Sequence, residues 1–146
     1  MTAAVRQAGP ADVDTCVALL GAQLAEHDLG SGNDRPAIEG ALANPSLGAI
    51  FLAEEAGTAL AVAYVGWFWS IEHGGASAWL DELYVIPSRR GAGLGSLVLA
   101  AVESAARARG CVAVDLEVED SHERAAALYL RTGFRPLPRR RFVKRL

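Results

Sequence analysis

Six residues in the middle of the chain, Arg90-Gly91-Ala92-Gly93-Leu94-Gly95, have the types and spacing of a loop that grips an anion. They follow a stretch that reads as a strand and open one that reads as a helix. At such a junction unpaired backbone N–H groups and the helix dipole favour negative charge. Glycines let the backbone approach a phosphate closely, and Arg90 can add a charge-assisted hydrogen bond. Glycines here would also suit a plain tight connection, so the spacing has to decide. A P-loop needs Gly-x-x-x-x-Gly-Lys-Ser/Thr, and this loop has no lysine. A dinucleotide fingerprint needs Gly-x-Gly-x-x-Gly near the start of a βαβ unit, with an acidic residue about 20 positions on. Here the glycines run Gly91-x-Gly93-x-Gly95, and the strands before them form no such unit.

The charge is unevenly arranged around that loop. The net charge is −3, yet residues 1–88 hold two basic residues against eleven acidic ones, and residues 89–146 hold twelve against six. Between Pro36 and Ser88 there is no Lys or Arg. Lopsided charge is common in small acidic domains; it also suits a protein whose halves meet ligands of opposite sign.

The elements that would position these residues are legible from period and punctuation. A chain of 146 residues, 51% apolar and 21% charged, reads as a single globular domain over 1–146. Val5 to Ala8 reads as a short strand. Pro10-Ala11-Asp12 opens a helix with Val13, Cys16, Val17, Leu19, Leu20 and Leu24 on one face, and a second helix follows from Pro36 to Ala43. Ala49–Glu54, Thr58–Trp69 and Ala76–Val85 are rich in β-formers separated by turn residues. Leu94 to Arg109 has helical spacing closed by Gly110, and Cys111 to Val118 alternates like a strand. Ser121 is a natural cap for a helix from about His122 to Thr132, stopped by Gly133, and Arg141-Phe142-Val143 reads as a final strand. The sum is an α+β sheet domain, antiparallel in its first half, with a βαβ crossover in its second. Cys16 and Cys111 are too few for a disulfide framework, and no Cys/His cluster has zinc-ligand spacing, so no metal is expected. With no signal-peptide pattern and no membrane-length apolar run, a cytoplasmic protein is expected.

Two motifs together resemble the GCN5-related N-acetyltransferase (GNAT) family. Arg90-x-x-Gly93-x-Gly95 matches its Arg/Gln-x-x-Gly-x-Gly/Ala signature, and the lead-in Leu80-Asp81-Glu82-Leu83-Tyr84-Val85-x-Pro87 is similar to its fourth strand. Downstream, His122-Glu123-Arg124-Ala125-Ala126-Ala127-Leu128-Tyr129-x-x-x-Gly133-Phe134 resembles Asn-x-x-Ala-x-x-Leu-Tyr-x-x-x-Gly-Phe at every marked position but the first. The resemblance implies a central, mixed, mostly antiparallel sheet of six to seven strands flanked by about four helices, with strands 4 and 5 a splayed parallel pair. It implies acetyl-CoA as acyl donor. The backbone of Leu83, Tyr84 and Val85 would pair with the pantetheine arm, and amides from Arg90 through Gly91, Ala92, Gly93, Leu94, Gly95 and Ser96 would hold the pyrophosphate.

The same resemblance makes Tyr129 the group that protonates the departing thiolate, as a phenol of pKa about 10 can do; outside the motif it would read as a packed helix tyrosine. His122 stands where relatives carry an asparagine that contacts the CoA arm, and either that contact or an exposed helix start is open to it. Attack by an amine needs a base, and Glu82, Glu117 and Asp81 are the candidates in that order. A regular strand would point Asp81 and Glu82 to opposite faces, so at most one would line the site.

On the acceptor side, Trp67, Trp69 and Glu72, with Asp81, suit a cationic amine through aromatic faces and nearby acids. The function expected is transfer of an acetyl group from acetyl-CoA to a primary amine of a small molecule or amino-acid-like acceptor, by direct attack in a ternary complex. A protein or peptide amine, and a non-catalytic acyl-CoA sensor, are the alternatives. Arg139-Arg140-Arg141 and Lys144-Arg145 form a short basic run without an aromatic ladder, which does not suit nucleic acid. The resemblance leaves room for a homodimer.

Overall fold

A computed structural model describes residues 2–146. Strand β1 (Ala4–Gln7) is followed by a 3₁₀ turn (Pro10–Asp12) and two helices, α1 (Val13–Glu26) and α2 (Asp34–Ala43). Three strands come next: β2 (Gly48–Glu55), β3 (Thr58–Ser70) and β4 (Gly75–Val85). A second 3₁₀ turn (Pro87–Arg89) leads to α3 (Leu94–Ala108), β5 (Ala113–Leu116) and α4 (Glu123–Arg131). The sheet order is β1-β2-β3-β4-β5, with every neighbouring pair antiparallel except β4 and β5. The crossover through α3 is what makes that last pair parallel.

Both faces of the sheet are covered, which explains the near-continuous apolar run of β2 and β3. On one face α3 lays down Leu94, Val98, Leu99, Val102 and Ala106, at helical spacing, against Phe51, Ala61, Ala63, Val65 and Leu80. On the other, Cys16, Leu19 and Leu20 of α1 and Ile38 and Leu42 of α2 pack on Ile50, Leu52, Val62 and Tyr84. Each Val, Leu or Ile among them contributes about 1.5–3 kcal/mol by burial.

One irregularity shapes everything that follows. Tyr64 of β3 pairs with Glu82 of β4, and the next residue, Val65, pairs with Leu80. Asp81 is therefore an extra residue, a β-bulge. It resets the alternation of β4, so that Leu80 and Leu83, three apart, both pack on the α3 side. The ladder between β4 and β5 runs from Ser77–Ala113 to Leu80–Leu116 and stops there, one residue short of the bulge. Beyond it the two strands part.

Three expectations need correction. The sheet has five strands among the described residues, not six or seven, and Arg141-Phe142-Val143 is not a strand. Pro136 and Pro138 remove backbone donors just ahead of it, and Phe142 and Val143 stand 83% and 80% exposed, so the segment buries no apolar face. β5 is shorter than Cys111–Val118 because its partner bends away at Asp81. The cap position of α4 is His122, not Ser121.

Candidate active site

The parting of β4 and β5 opens a cleft of about 1670 Å³. Its walls are Asp81 to Val85 on β4, the loop around Arg90 to Ser96, the chain leaving β5 at Glu117 to Glu119, His122 with the first two turns of α4 as far as Tyr129, and the end of α1. Among the described residues no group of three or more His, Cys, Asp and Glu could hold a metal ion, and no helix is long and apolar enough to cross a membrane.

The glycine loop forms one end. Gly93 is the cap residue of α3 and sits at φ 83°, a left-handed conformation that disfavours any residue with a Cβ. No side chain caps the helix, so its first amides keep their hydrogen-bonding capacity. Buried Leu94, 3% exposed, anchors the turn to the core. A helix start left open in this way, on a cleft bordered by Arg89, Arg90 and Arg124, suits an anion. Two of these arginines are engaged. Arg89 pairs with Glu55 at 2.7 Å, and Arg90 donates to Glu26 at 2.7 Å and to the Val85 carbonyl at 3.0 Å while lying over the Tyr84 ring. Arg90 thus ties the loop to the end of α1, and its charge is shared between that link and the cleft.

On β4, Leu83 and Val85 turn their side chains into the α3-side core, and Tyr84, 7% exposed, turns the other way. What this stretch offers the cleft is backbone. Gln23 of α1 donates its Nε2 to the Leu83 carbonyl at 3.3 Å. An acceptor at that place leaves only the amide NH₂ to face it, so the orientation of Gln23 is fixed by chemistry. Its Oε1 is then buried and without a partner, alone in that respect among the described residues. A buried acceptor left open costs about 1–3 kcal/mol until a donor arrives.

The ionisable groups sort by burial. Glu82 is half-buried, and its carboxyl is pushed up to about 7 by desolvation first and by the neighbouring Asp81 charge second. Tyr129 is pushed up to about 12, mainly by burial and then by the charge of Glu82. Its place is set by the end of α4. Gly133, at φ 100°, lets Phe134 donate its backbone N–H to the Tyr129 carbonyl and Gly133 to that of Leu130. This is a Schellman closure, and its apolar contact is the Phe134 ring against the Tyr129 ring, 5.7 Å between centroids. The Gly-Phe of the sequence motif is therefore what orients its tyrosine.

Asp81 also lines the cleft, so both carboxylates of the pair do. A regular strand would have forbidden that; the bulge allows it. Asp81 is exposed and accepts from the Trp79 Nε1 at 3.1 Å. Glu117 lines the cleft too, but exposed and ion-paired with Arg141. His122 lines it with its ring 5.2 Å from that of His27, across from the end of α1.

Three residues expected near the acceptor lie elsewhere. Trp67 packs on the α3-side core with the Arg109 guanidinium 4.7 Å above its ring, Trp69 is 76% exposed at the far end of β3, and Glu72 pairs with Arg139 at 2.7 Å. None lines the cleft. Because Ala78, paired with Trp67, faces α3, so does Trp67; β3 carries it to the face opposite α1 and α2. Gln23, Glu26 and His27 carry no signal in the sequence: Gln23 meets Leu83 of β4, Glu26 meets Arg90 of the loop, and His27 meets Glu119 and His122, all far along the chain. An amphipathic helix gives no signal for which of its polar residues meets a cleft.

A family model described as the acetyltransferase (GNAT) family matches residues 20–134. Among solved structures, an integron cassette protein from the mobile metagenome of Cole Harbour Salt Marsh is 28% identical. The match covers 97% of this chain and 90% of that one, with a TM-score of 0.85. The aminoglycoside N-acetyltransferase AAC(6')-Iy in complex with CoA is 19% identical over 99% of this chain and 95% of that one, with a TM-score of 0.85. A ribosomal-protein-alanine N-acetyltransferase from Brucella melitensis biovar Abortus 2308 is 17% identical over 99% and 100%, with a TM-score of 0.77. The last two show the shared fold alone, and their names carry very different acceptors.

Proposed function

The chain belongs to the GNAT acetyltransferase family, and from that premise we propose that it carries an acetyl group from acetyl-CoA to the primary amine of a small molecule, by direct attack in a ternary complex. The bound donor supplies a thioester whose carbonyl is open to a neutral amine. The observation that carries the reading is the pairing of Glu82 and Tyr129 on one cleft, with their proton affinities held far apart. A carboxylate whose acid titrates near 7 is available in part at neutral pH to take a proton from an ammonium group, and a phenol near 12 stays protonated until a thiolate needs its proton. Backbone of Leu83 to Val85 supports the pantetheine arm, and the amides from Arg90 to Ser96 hold the pyrophosphate. His122 borders the same arm. Asp81 is the carboxylate nearest Glu82 in the chain and holds its proton on by repulsion.

The test is release of free thiol from acetyl-CoA in the presence of a broad amine panel, followed by Glu82→Gln and Tyr129→Phe. Amine-dependent release that both substitutions depress is the expected result. Tight acetyl-CoA binding with no amine-dependent release would instead assign the chain to acyl-CoA sensing.

A further inference from the structure

Resting on that acyl-transfer reading, we propose that the acceptor is a small primary amine on an apolar body, an arylalkyl or branched aliphatic amine whose body enters a pocket between α1, α2 and the sheet.

The pocket has a volume of about 190 Å³ and is separate from the cleft. Leu20 and Leu24, one turn apart on α1, form one wall, and Ile38 and Ala41 of α2 form the facing one. Ile50 and Tyr64 of the sheet close its base. The residues it shares with the cleft are Asp81 and Glu82, so the bulge stands at the boundary between them. Gln23 lies on the same face of α1 as Leu20 and lines the cleft, with its Oε1 still lacking a donor.

These features select a ligand by chemistry. No Lys, Arg or His lines the pocket, while Asp34, Asp81 and Glu82 do, which favours a cation. The N–H groups of an amine held at the boundary would meet Glu82 and the open acceptor on Gln23. Behind the boundary the walls are aliphatic apart from Asp34 and Tyr64. A body bearing several hydroxyls would leave most of them there without partners, which is costly. The size is also restrictive, since an apolar cavity of about 150 Å³ takes up a single six-carbon ring. Burial of the Glu82 carboxyl agrees with this placement, because the apolar side of the boundary is what desolvates it.

The experiment measures kcat/KM by thiol release for benzylamine, isoamylamine, ethylamine and a glycine-terminated peptide. Acetyl-CoA binding is followed by calorimetry in parallel. Benzylamine or isoamylamine is expected to exceed ethylamine by at least about tenfold, the scale on which apolar pockets discriminate. Ala41→Phe, which fills the pocket, is expected to collapse the benzylamine-to-ethylamine ratio by a similar factor. Leu24→Ala, which enlarges it, is expected to move the preference towards bulkier amines, so the two substitutions read in opposite directions. Robust transfer with no preference for apolar amines, or a ratio that neither substitution moves, overturns this pocket and leaves acyl transfer standing. Acetyl-CoA binding without transfer to any amine overturns both.

Discussion

Tyr129 and Glu82 share one cleft, and the charge of the carboxylate adds to burial in holding the proton on the phenol. The relation is directional. Desolvation pushes the carboxyl up to about 7, where it can exchange a proton near neutrality, and the phenol up to about 12, where it keeps its own. Tyr129→Phe keeps the ring and its packing on Phe134 but removes the proton. Turnover is expected to fall by about 10²–10⁴-fold, with the dissociation constant for acetyl-CoA little changed. Single-turnover thiol release and calorimetry check the two halves. A variant that turns over like the parent would remove Tyr129 from the chemistry.

As the proposed base, Glu82 would give the reaction its pH dependence. A base must be deprotonated, so kcat/KM is expected to rise with a one-proton slope through pH about 7 and to level off above it. Glu82→Gln should lower the plateau and abolish that limb. A limb that survives the substitution belongs to another group.

The same raised pKa has a stability consequence of opposite sense to that of an ion-paired carboxylate. Between the ordinary carboxyl range and pH about 7 the folded protein holds a proton that the unfolded chain has lost. Stability therefore falls as pH rises across that window, and the cost is complete above it. Glu82→Gln removes the cost, by up to roughly 3 kcal/mol, and should melt higher than the parent at pH about 8.5 but not at pH about 4. Thermal melts at the two values decide it; equal differences at both would mean that Glu82 ionises in the fold as it does in the unfolded chain.

How much of this was legible beforehand depends on what each residue's signal is. Helical spacing in Leu94 to Ala106 and the strand-like run of β2 to β4 are local patterns, and they gave the layers and the crossover. The glycine loop and the Tyr129 segment are likewise contiguous, so their places on the cleft could be read in advance. The bulge could not. Nothing in Leu80-Asp81-Glu82 marks one residue as extra until Tyr64 and Val65 are laid beside it. That single residue of register decided whether Asp81 and Glu82 could both line the cleft and which face Leu80 would take. It also ended β5 early. Trp67 and Trp69 were misplaced for a related reason: an aromatic on a strand announces burial, but the face it takes is fixed by pairing partners far along the chain.

The loop at α3 can be tested apart from the chemistry. Gly93→Ala would force a side chain into φ 83°, at a strain of about 1–2 kcal/mol, or else rotate the amides that follow it. Acetyl-CoA is expected to bind about 10-fold to 100-fold more weakly, the scale of one lost hydrogen bond to a charged group. The KM for the amine should stay near its parent value. A variant with normal cofactor affinity would mean that the loop only connects strand to helix.

The contact between Phe134 and Tyr129 makes a last and sharper demand. Phe134 is five residues after Tyr129 and outside α4, yet the closure at Gly133 brings its ring edge-on to the tyrosine, at 67° between planes. If that contact aims the phenol, Phe134→Ala should lower kcat by about 10-fold to 100-fold, the penalty for a catalytic group out of place by an ångström or so. Phe134→Leu, which keeps an apolar side chain over the ring, should recover much of the loss. Both variants remove buried area and so melt lower, Ala more than Leu. A purely structural role would show in the melting temperature and leave kcat of the folded fraction intact. The positioning role instead shows as a fall in kcat, at temperatures well below the melt, with acetyl-CoA affinity unchanged. In the double variant with Tyr129→Phe the effect of Phe134→Ala on kcat should vanish, because no proton is left to aim.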